Sequence, residues 1–218
     1  MLLTSTTRLF AGLIACLGWS ALGLQLWLTV SLVLAQGRGL GMGLVIYFGF
    51  FTVLTNLLAA IVLSAISAGP RCPGHTLARH PVTLTTTAAA ISIVGLVYFF
   101  ILRHLWQPQG AQFVADAALH YAAPVLVVVF WLAVMPARPL TWRQLPWLMV
   151  YPLAYLVYVF VRGEWVGLYP YEFVNVLVIG YRAAVLNTVG LLVAYAALLV
   201  VLLGLKALTG QRTVAQLS

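Results

Sequence analysis

The chain has 218 residues, of which 64% are hydrophobic and 6% charged, and its formal net charge is +8. Soluble domains carry roughly one-quarter charged residues, so this balance excludes a soluble globular fold and predicts an all-α, polytopic membrane protein. The positive excess is distributed over connections between apolar runs, which removes nucleic acid as its partner.

Six apolar runs approach the ~20 residues that a bilayer core requires. They are Leu9–Ala35, Met42–Ser67, Val82–Trp106, Val114–Met135, Leu145–Val161 and Ala183–Ala207. Together they predict one integral membrane domain, 1–218, built as a six-helix bundle with short loops and no soluble domain left over. Arg8 ahead of the first run imitates a secretory signal. That run is too long for such a signal, and Gln36-Gly37-Arg38-Gly39 leads directly into the next span, so a permanent first helix is expected. Cys16 in that helix and Cys72 in a short loop have neither the spacing nor the context of a disulfide or a metal site.

An even number of spans places both termini on one side. That side collects Arg8, Arg71, Arg79, Arg138, Arg143, Lys206 and Arg212, against Arg38, Arg103, Arg162 and Arg182 with all the acids, Asp116, Glu164 and Glu172. The Lys/Arg bias predicts cytoplasmic termini. The connections on that side, Gly69-Pro70-Arg71-Cys72-Pro73-Gly74 and Pro136-Ala137-Arg138-Pro139, are turn chemistry. On the outer side the stretch from Arg162 to Glu172 carries Trp165, Tyr169 and Tyr171, with Phe173 just after, and reads mainly as an aromatic anchor in the headgroup layer.

Polar groups at membrane depth need a partner or a function. In the second span Thr52, Thr55 and Asn56 stand at i, i+3 and i+4, on one helix face. They read either as bonds between helices or as part of a reactive site. His120 is the histidine well inside a span, and Asp116 lies one turn earlier. That carboxylate either caps the start of the fourth helix or orients the imidazole as a general base for a hydroxyl nucleophile. Counted at 1.5 Å per residue from the outer face, Thr52 lies roughly 15 Å deep and His120 roughly 9 Å, depths compatible with contact. Thr55 is expected about a turn deeper. In the fifth span Tyr151, Tyr155, Tyr158 and Arg162 share a face. They either bond between helices or line a slot for an amphiphile whose carboxylate rests on Arg162 or Arg103. Asn187 and Tyr195 in the sixth span read as a helix-bonding pair.

Four elements in this order give a resemblance: Phe51-Thr52-Val53-Leu54-Thr55-Asn56-Leu57; Leu119-His120-Tyr121-Ala122-Ala123-Pro124; Tyr151-Pro152-Leu153-Ala154-Tyr155; and Gly167-Leu168-Tyr169-Pro170-Tyr171-Glu172-Phe173. The chain resembles the androgen-induced gene 1 and androgen-dependent tissue factor pathway inhibitor regulator family, with its bacterial six-span relatives. Members of that family are intramembrane threonine hydrolases of fatty acid esters of hydroxy fatty acids. The resemblance implies His120 as the catalytic histidine and Thr52 as the nucleophile, with Thr55 as the alternative. Asn175 stands where bacterial relatives are expected to carry an acid, which leaves Asp116 as the carboxylate. It further implies a membrane lipid or fatty acid ester as the partner and, in a bacterium, the plasma membrane as the location.

The expected chemistry is ester hydrolysis by Thr52 and His120, with Asn56, Tyr155 or Tyr158 donating to the oxyanion. The competing expectation is a non-catalytic lipid-binding or small-solute transport protein using the same polar residues. No cofactor or metal is expected, since the chain has no Gly-x-Ser-x-Gly elbow, His-Glu-x-x-His motif, phosphate loop or Cys/His cluster.

Overall fold

The computed structural model describes residues 4–105, 107–136 and 140–215, and side chains up to residue 208. Arg138 and Trp106, used above for loop charge and a span boundary, lie outside the described residues, as does the side chain of Arg212. The elements are α1 (Ser5–Ala35), α2 (Leu40–Tyr47), α3 (Phe51–Ala68), a short α4 (His75–Ala78), α5 (Pro81–Phe100), α6 (Gly110–Ala117), α7 (Ala123–Val134), α8 (Val150–Val166) and α9 (Val176–Ala215). A π-helical turn, Ala118–Ala122, joins α6 to α7, and a 3₁₀ segment, Trp142–Met149, leads into α8. Among the described residues six helical stretches are long and apolar enough to cross a membrane, and the fold is an all-α polytopic bundle.

Small side chains set how closely the helices approach. In α5, Ala88, Ala89, Ala90 and Ile91 are wholly buried, and 61% of its apolar window is inside the bundle against 17% for the stretch carrying α8. The alanines let neighbouring backbones come near, so α5 is the central helix and α8 a peripheral one. Helices α1 and α3 meet through glycines: a Cβ on Gly12 would lie 2.6 Å from the Ser67 hydroxyl, and one on Gly18 would lie 3.4 Å from Ala60. Arg8 closes the far end of α3 by donating to the Ser67 and Ala68 carbonyls, each at 3.0 Å. A cation there complements the partial negative charge of a helix C-terminus.

Three expectations are corrected. The run Met42–Ser67 is not one helix, because the chain breaks between α2 and α3 at Phe48–Phe50, where Phe50 adopts an extended conformation (ψ 130°). Thr52 therefore lies in the first turn of α3 rather than three turns into a continuous span. The fifth span continues through Val166, so Arg162, Gly163, Glu164 and Trp165 are helical and not loop. The sixth begins at Val176, with a break at Gly180 whose φ of 74° is open to glycine at little cost.

The helix break and the π turn both have sequence causes. At the break, the carbonyls released by the end of α2 would be orphaned in apolar surroundings, at a cost of several kcal/mol each in hydrocarbon. The α8 stripe takes them up: Tyr155 donates to Gly49 O (3.1 Å), Tyr158 to Phe48 O (3.1 Å), and Arg162 to Val45 O through Nη2 (2.7 Å) and Nε (3.2 Å). Gly49 permits this packing, since a Cβ there would lie 2.9 Å from the Arg162 guanidinium carbon. At the π turn, Pro124 lacks the N–H that His120 O would accept four residues earlier, and its ring crowds that carbonyl. The displaced His120 carbonyl and Pro124 pack on Gly95 of α5, where an added Cβ would stand 3.3 Å from the oxygen.

Candidate active site

The two backbone irregularities face each other at the end of the bundle opposite the N-terminus. The break starts α3 one residue before Thr52, and the π turn carries His120. Thr52 Oγ1 lies 3.3 Å from His120 Nε2. On the other side of the ring, Nδ1 lies 3.1 Å from the Asp116 backbone carbonyl and 3.2 Å from Asp116 Oδ1. A carbonyl oxygen only accepts, so Nδ1 carries the proton in neutral His120, and Nε2 presents its lone pair to the threonine hydroxyl. Tyr98 stacks on the imidazole with centroids 4.2 Å apart and fixes its plane.

Asp116 is buried, with its carboxylate against the His120 ring. Asn56 has a structural part: its Nδ2 donates to the Thr52 carbonyl (2.9 Å) and the Leu119 carbonyl (3.3 Å), tying the start of α3 to the π turn. Thr55 is wholly buried and shares a hydrogen bond with the Tyr151 hydroxyl at 3.0 Å, so it is Thr52 and not Thr55 that meets the histidine. Tyr155 and Tyr158 donate to carbonyls of the helix break, which corrects their expected role as oxyanion donors. Arg162, expected as a carboxylate seat, donates to Val45 O and, through Nη1, to Leu168 O at 2.8 Å, and it is not among the residues lining the cavities described below. Arg103 lies over the Phe99 ring, 3.7 Å from its centroid, and is not among the residues lining the cavities described below. Asn187 and Tyr195 donate to the Phe173 and Leu148 carbonyls, a structural use of both.

Tyr171 is the site residue that sequence reasoning missed. The strap of residues 167–175, between α8 and α9, turns its ring inward, stacked on Phe173 (centroids 5.0 Å apart), and brings its hydroxyl to 3.4 Å from Thr52 N and 3.5 Å from Thr52 Oγ1. The first ladder bond of α3 runs from Leu54 N–H to Phe50 O, so the N–H groups of Phe51, Thr52 and Val53 stand outside the ladder. Tyr171 accepts from the Thr52 N–H there. Burial holds the Tyr171 pKa above the ordinary phenol value, and the Thr52 hydroxyl and these N–H groups oppose that shift only in part. The phenol is therefore neutral in ordinary buffers. Its inward turn was hidden because an aromatic in an outer connection fits an interfacial anchor equally well. Trp165, by contrast, is 89% exposed.

Thr52 and Tyr171 stand between two cavities. One, of about 500 Å³, lies among α1, α2, α6 and the strap, and includes Gln25, Gln112, Asp116 and His120 in its wall. The other is a slot of about 70 Å³ among α5, α8 and α9, lined by apolar residues such as Val94, Leu156 and Leu192. Neither family models, nor curated proteins, nor solved structures match this chain. The geometry provides a hydroxyl on an oriented imidazole, a buried carboxylate behind that ring, and, next to the hydroxyl, a helix N-terminus whose Thr52 N–H is bonded to the Tyr171 hydroxyl.

Proposed function

We propose that this protein is an intramembrane lipid ester hydrolase with Thr52 as nucleophile and His120 as general base and acid. The observation that carries the reading is the aligned row of Thr52 Oγ1, His120 and Asp116, with contacts of 3.3 Å and 3.1–3.2 Å. A threonine hydroxyl is a weak nucleophile until a positioned base removes its proton.

In the first half-reaction Thr52 Oγ1 attacks the ester carbonyl while its proton passes to His120 Nε2. Asp116 stabilises the imidazolium and keeps Nδ1 as the donor. The carbonyl oxygen becomes an oxyanion that displaces the Tyr171 hydroxyl from the Thr52 N–H, and a single donor so aimed is worth about 3 kcal/mol in the transition state. The partial positive charge at the start of α3 acts in the same direction. Collapse breaks the ester C–O bond, and His120 returns the proton to the leaving alcohol. In the second half-reaction a water gives its proton to His120 and attacks the acyl-threonine; the bond to Thr52 Oγ1 then breaks, His120 returns the proton to that oxygen, and the fatty acid is released.

The resemblance to the androgen-induced gene 1 family supports the same chemistry and implies fatty acid esters of hydroxy fatty acids as substrates. The loop charges support cytoplasmic termini, with the site in the outer half of the bilayer. The test is hydrolysis of lipid esters by purified protein in liposomes. Turnover that disappears in both Thr52→Ala and His120→Ala, with folded helices by circular dichroism, is the expected result. Turnover that survives in either variant overturns the proposal, and lipid that co-purifies intact without turnover favours a binding protein instead.

A further inference from the structure

Resting on the hydrolase reading, the oxyanion meets one backbone donor, the Thr52 N–H, and a second donor is needed to hold it in place. Asn56, Tyr155 and Tyr158 are committed to carbonyls of the bundle. The Tyr171 hydroxyl stands next to the reacting oxygen, 3.5 Å from Thr52 Oγ1 and 3.4 Å from Thr52 N. The direction of its proton follows from the bonds around it. In neutral His120 the Asp116 carbonyl keeps the ring proton on Nδ1, so Nε2 accepts the single proton of the Thr52 hydroxyl. The Thr52 N–H donates to the phenol oxygen. The contact between the two hydroxyls is therefore filled by the Tyr171 proton, which points at Thr52 Oγ1.

The strap that carries this hydroxyl is held at several points. Leu168 O accepts from Arg162 Nη1 at 2.8 Å, Phe173 O from Asn187 Nδ2 at 2.9 Å, and Tyr171 O from the N–H of buried Val174 at 3.2 Å. The ring stacks on Phe173 and meets Phe50 edge-on, with centroids 5.7 Å apart, contacts that need no hydroxyl. A strap fixed in this way suits a preorganised donor rather than a lid that swings away. The two contacts with Thr52 are long for hydrogen bonds, so an oxygen entering between the phenol and the Thr52 N–H asks the ring to tilt by about 1–2 Å and leaves the strap where it is.

We infer that Tyr171 is a further catalytic residue, the second donor to the oxyanion. As Thr52 Oγ1 bonds to the ester carbon, the carbonyl π pair moves onto the carbonyl oxygen and the Thr52 proton passes to His120 Nε2. Oγ1 thereby commits a lone pair to the new bond, and the Tyr171 O–H turns from it to the oxyanion on the same carbon. The phenol keeps its proton throughout. When water attacks the acyl-threonine, the same O–H serves the second oxyanion.

The experiment compares wild type with Tyr171→Phe, which keeps the ring on Phe173 and Phe50 and deletes the proton. It uses the full-length protein in liposomes and the palmitoyl ester of a hydroxystearic acid. The rate at saturation is expected to fall by about a hundredfold or more, with KM within about twofold. A hydroxyl that only plugs the Thr52 N–H predicts the opposite, since its removal frees that donor. A rate equal to or above wild type therefore overturns the inference, and so does a loss confined to KM. Binding gives a readout that damaged packing does not imitate. Palmityl trifluoromethyl ketone adds Thr52 Oγ1 to its carbonyl and places an oxyanion in the site, which the corresponding trifluoromethyl carbinol cannot do. The affinity for the ketone should drop at least about tenfold in Tyr171→Phe, while the carbinol binds both proteins alike. Equal loss for the two compounds assigns Tyr171 to packing and overturns the inference. Wild type that turns over ester and is labelled on Thr52 by a fluorophosphonate, with Tyr171→Phe at full rate, keeps the hydrolase reading and removes only the second donor. Wild type that does neither loses both.

Discussion

Thr52, His120 and Asp116 form a row in which each hydrogen bond decides the next. The Asp116 carbonyl and carboxylate both face Nδ1, so the tautomer has two supports, one of which no side-chain substitution removes. Asp116→Ala is therefore expected to reduce turnover by about ten- to a hundredfold, or about 1.4–2.7 kcal/mol, clearly less than Thr52→Ala. Single-turnover rates on a common ester measure the difference, and a loss equal to that of Thr52→Ala would show that the carboxylate has a larger role. These three residues were legible in the sequence because polar groups stand out in apolar runs. The choice between Thr52 and Thr55 was not, since both share a face and only the helix break sets which one meets the ring. Tyr171 was illegible for the opposite reason, because nothing in its own stretch distinguishes an inward ring from an anchoring one.

The geometry around Thr52 and His120 is made by departures from regular helix, and these were the least legible features. Phe48 and Phe50 keep the hydropathy of the second span high, so the break is marked in sequence only by Gly49 and by the distant stripe Tyr155, Tyr158 and Arg162 that satisfies its carbonyls. The stripe was seen, but the carbonyls it serves appear only once the chain is folded. Arg162→Met should leave the Val45 and Leu168 carbonyls without a partner and destabilise the protein by about 1–3 kcal/mol for each, read as a lower midpoint in mixed-micelle unfolding. A midpoint equal to wild type would mean that other groups satisfy them. The π turn has a clearer mark, Pro124 four residues after His120. Pro124→Ala restores the missing N–H and lets the turn revert to α-helix, which rotates the flanking residues by about 100°. The thermal midpoint is expected to stay level or rise while turnover falls sharply, and unchanged turnover would detach the π turn from the chemistry.

Across the whole bundle the number and polarity of the spans followed from composition, since apolar length is the property that a bilayer selects. The packing order did not, because the central place of α5 depends on the alanines Ala88–Ala90 meeting neighbours from distant parts of the chain. The end away from the site has its own titrating group. His75 is buried, and that burial, followed by the charges of Arg79 and Arg8, lowers its pKa from the ordinary 6.5. A base whose folded pKa is depressed resists protonation in the native state. Stability is therefore expected to be level above about pH 6.5 and to fall as pH drops from there towards the lowered folded value. Thermal midpoints between pH 7.5 and 5 measure this, and His75→Gln should flatten the decline. An identical decline in that variant would assign the acid sensitivity to another group.

The two ends of the molecule thus differ in kind: the end with the termini is closed by charge and turns, and the opposite end is opened by two helix irregularities around one hydroxyl. Peptide mapping after reaction with a fluorophosphonate tests most directly whether that hydroxyl is a nucleophile. The phosphonyl adduct should fall on Thr52 in wild-type protein and be absent from Thr52→Ala and His120→Ala. No adduct, an adduct on Thr55, or one on Thr52 that persists in His120→Ala would contradict it.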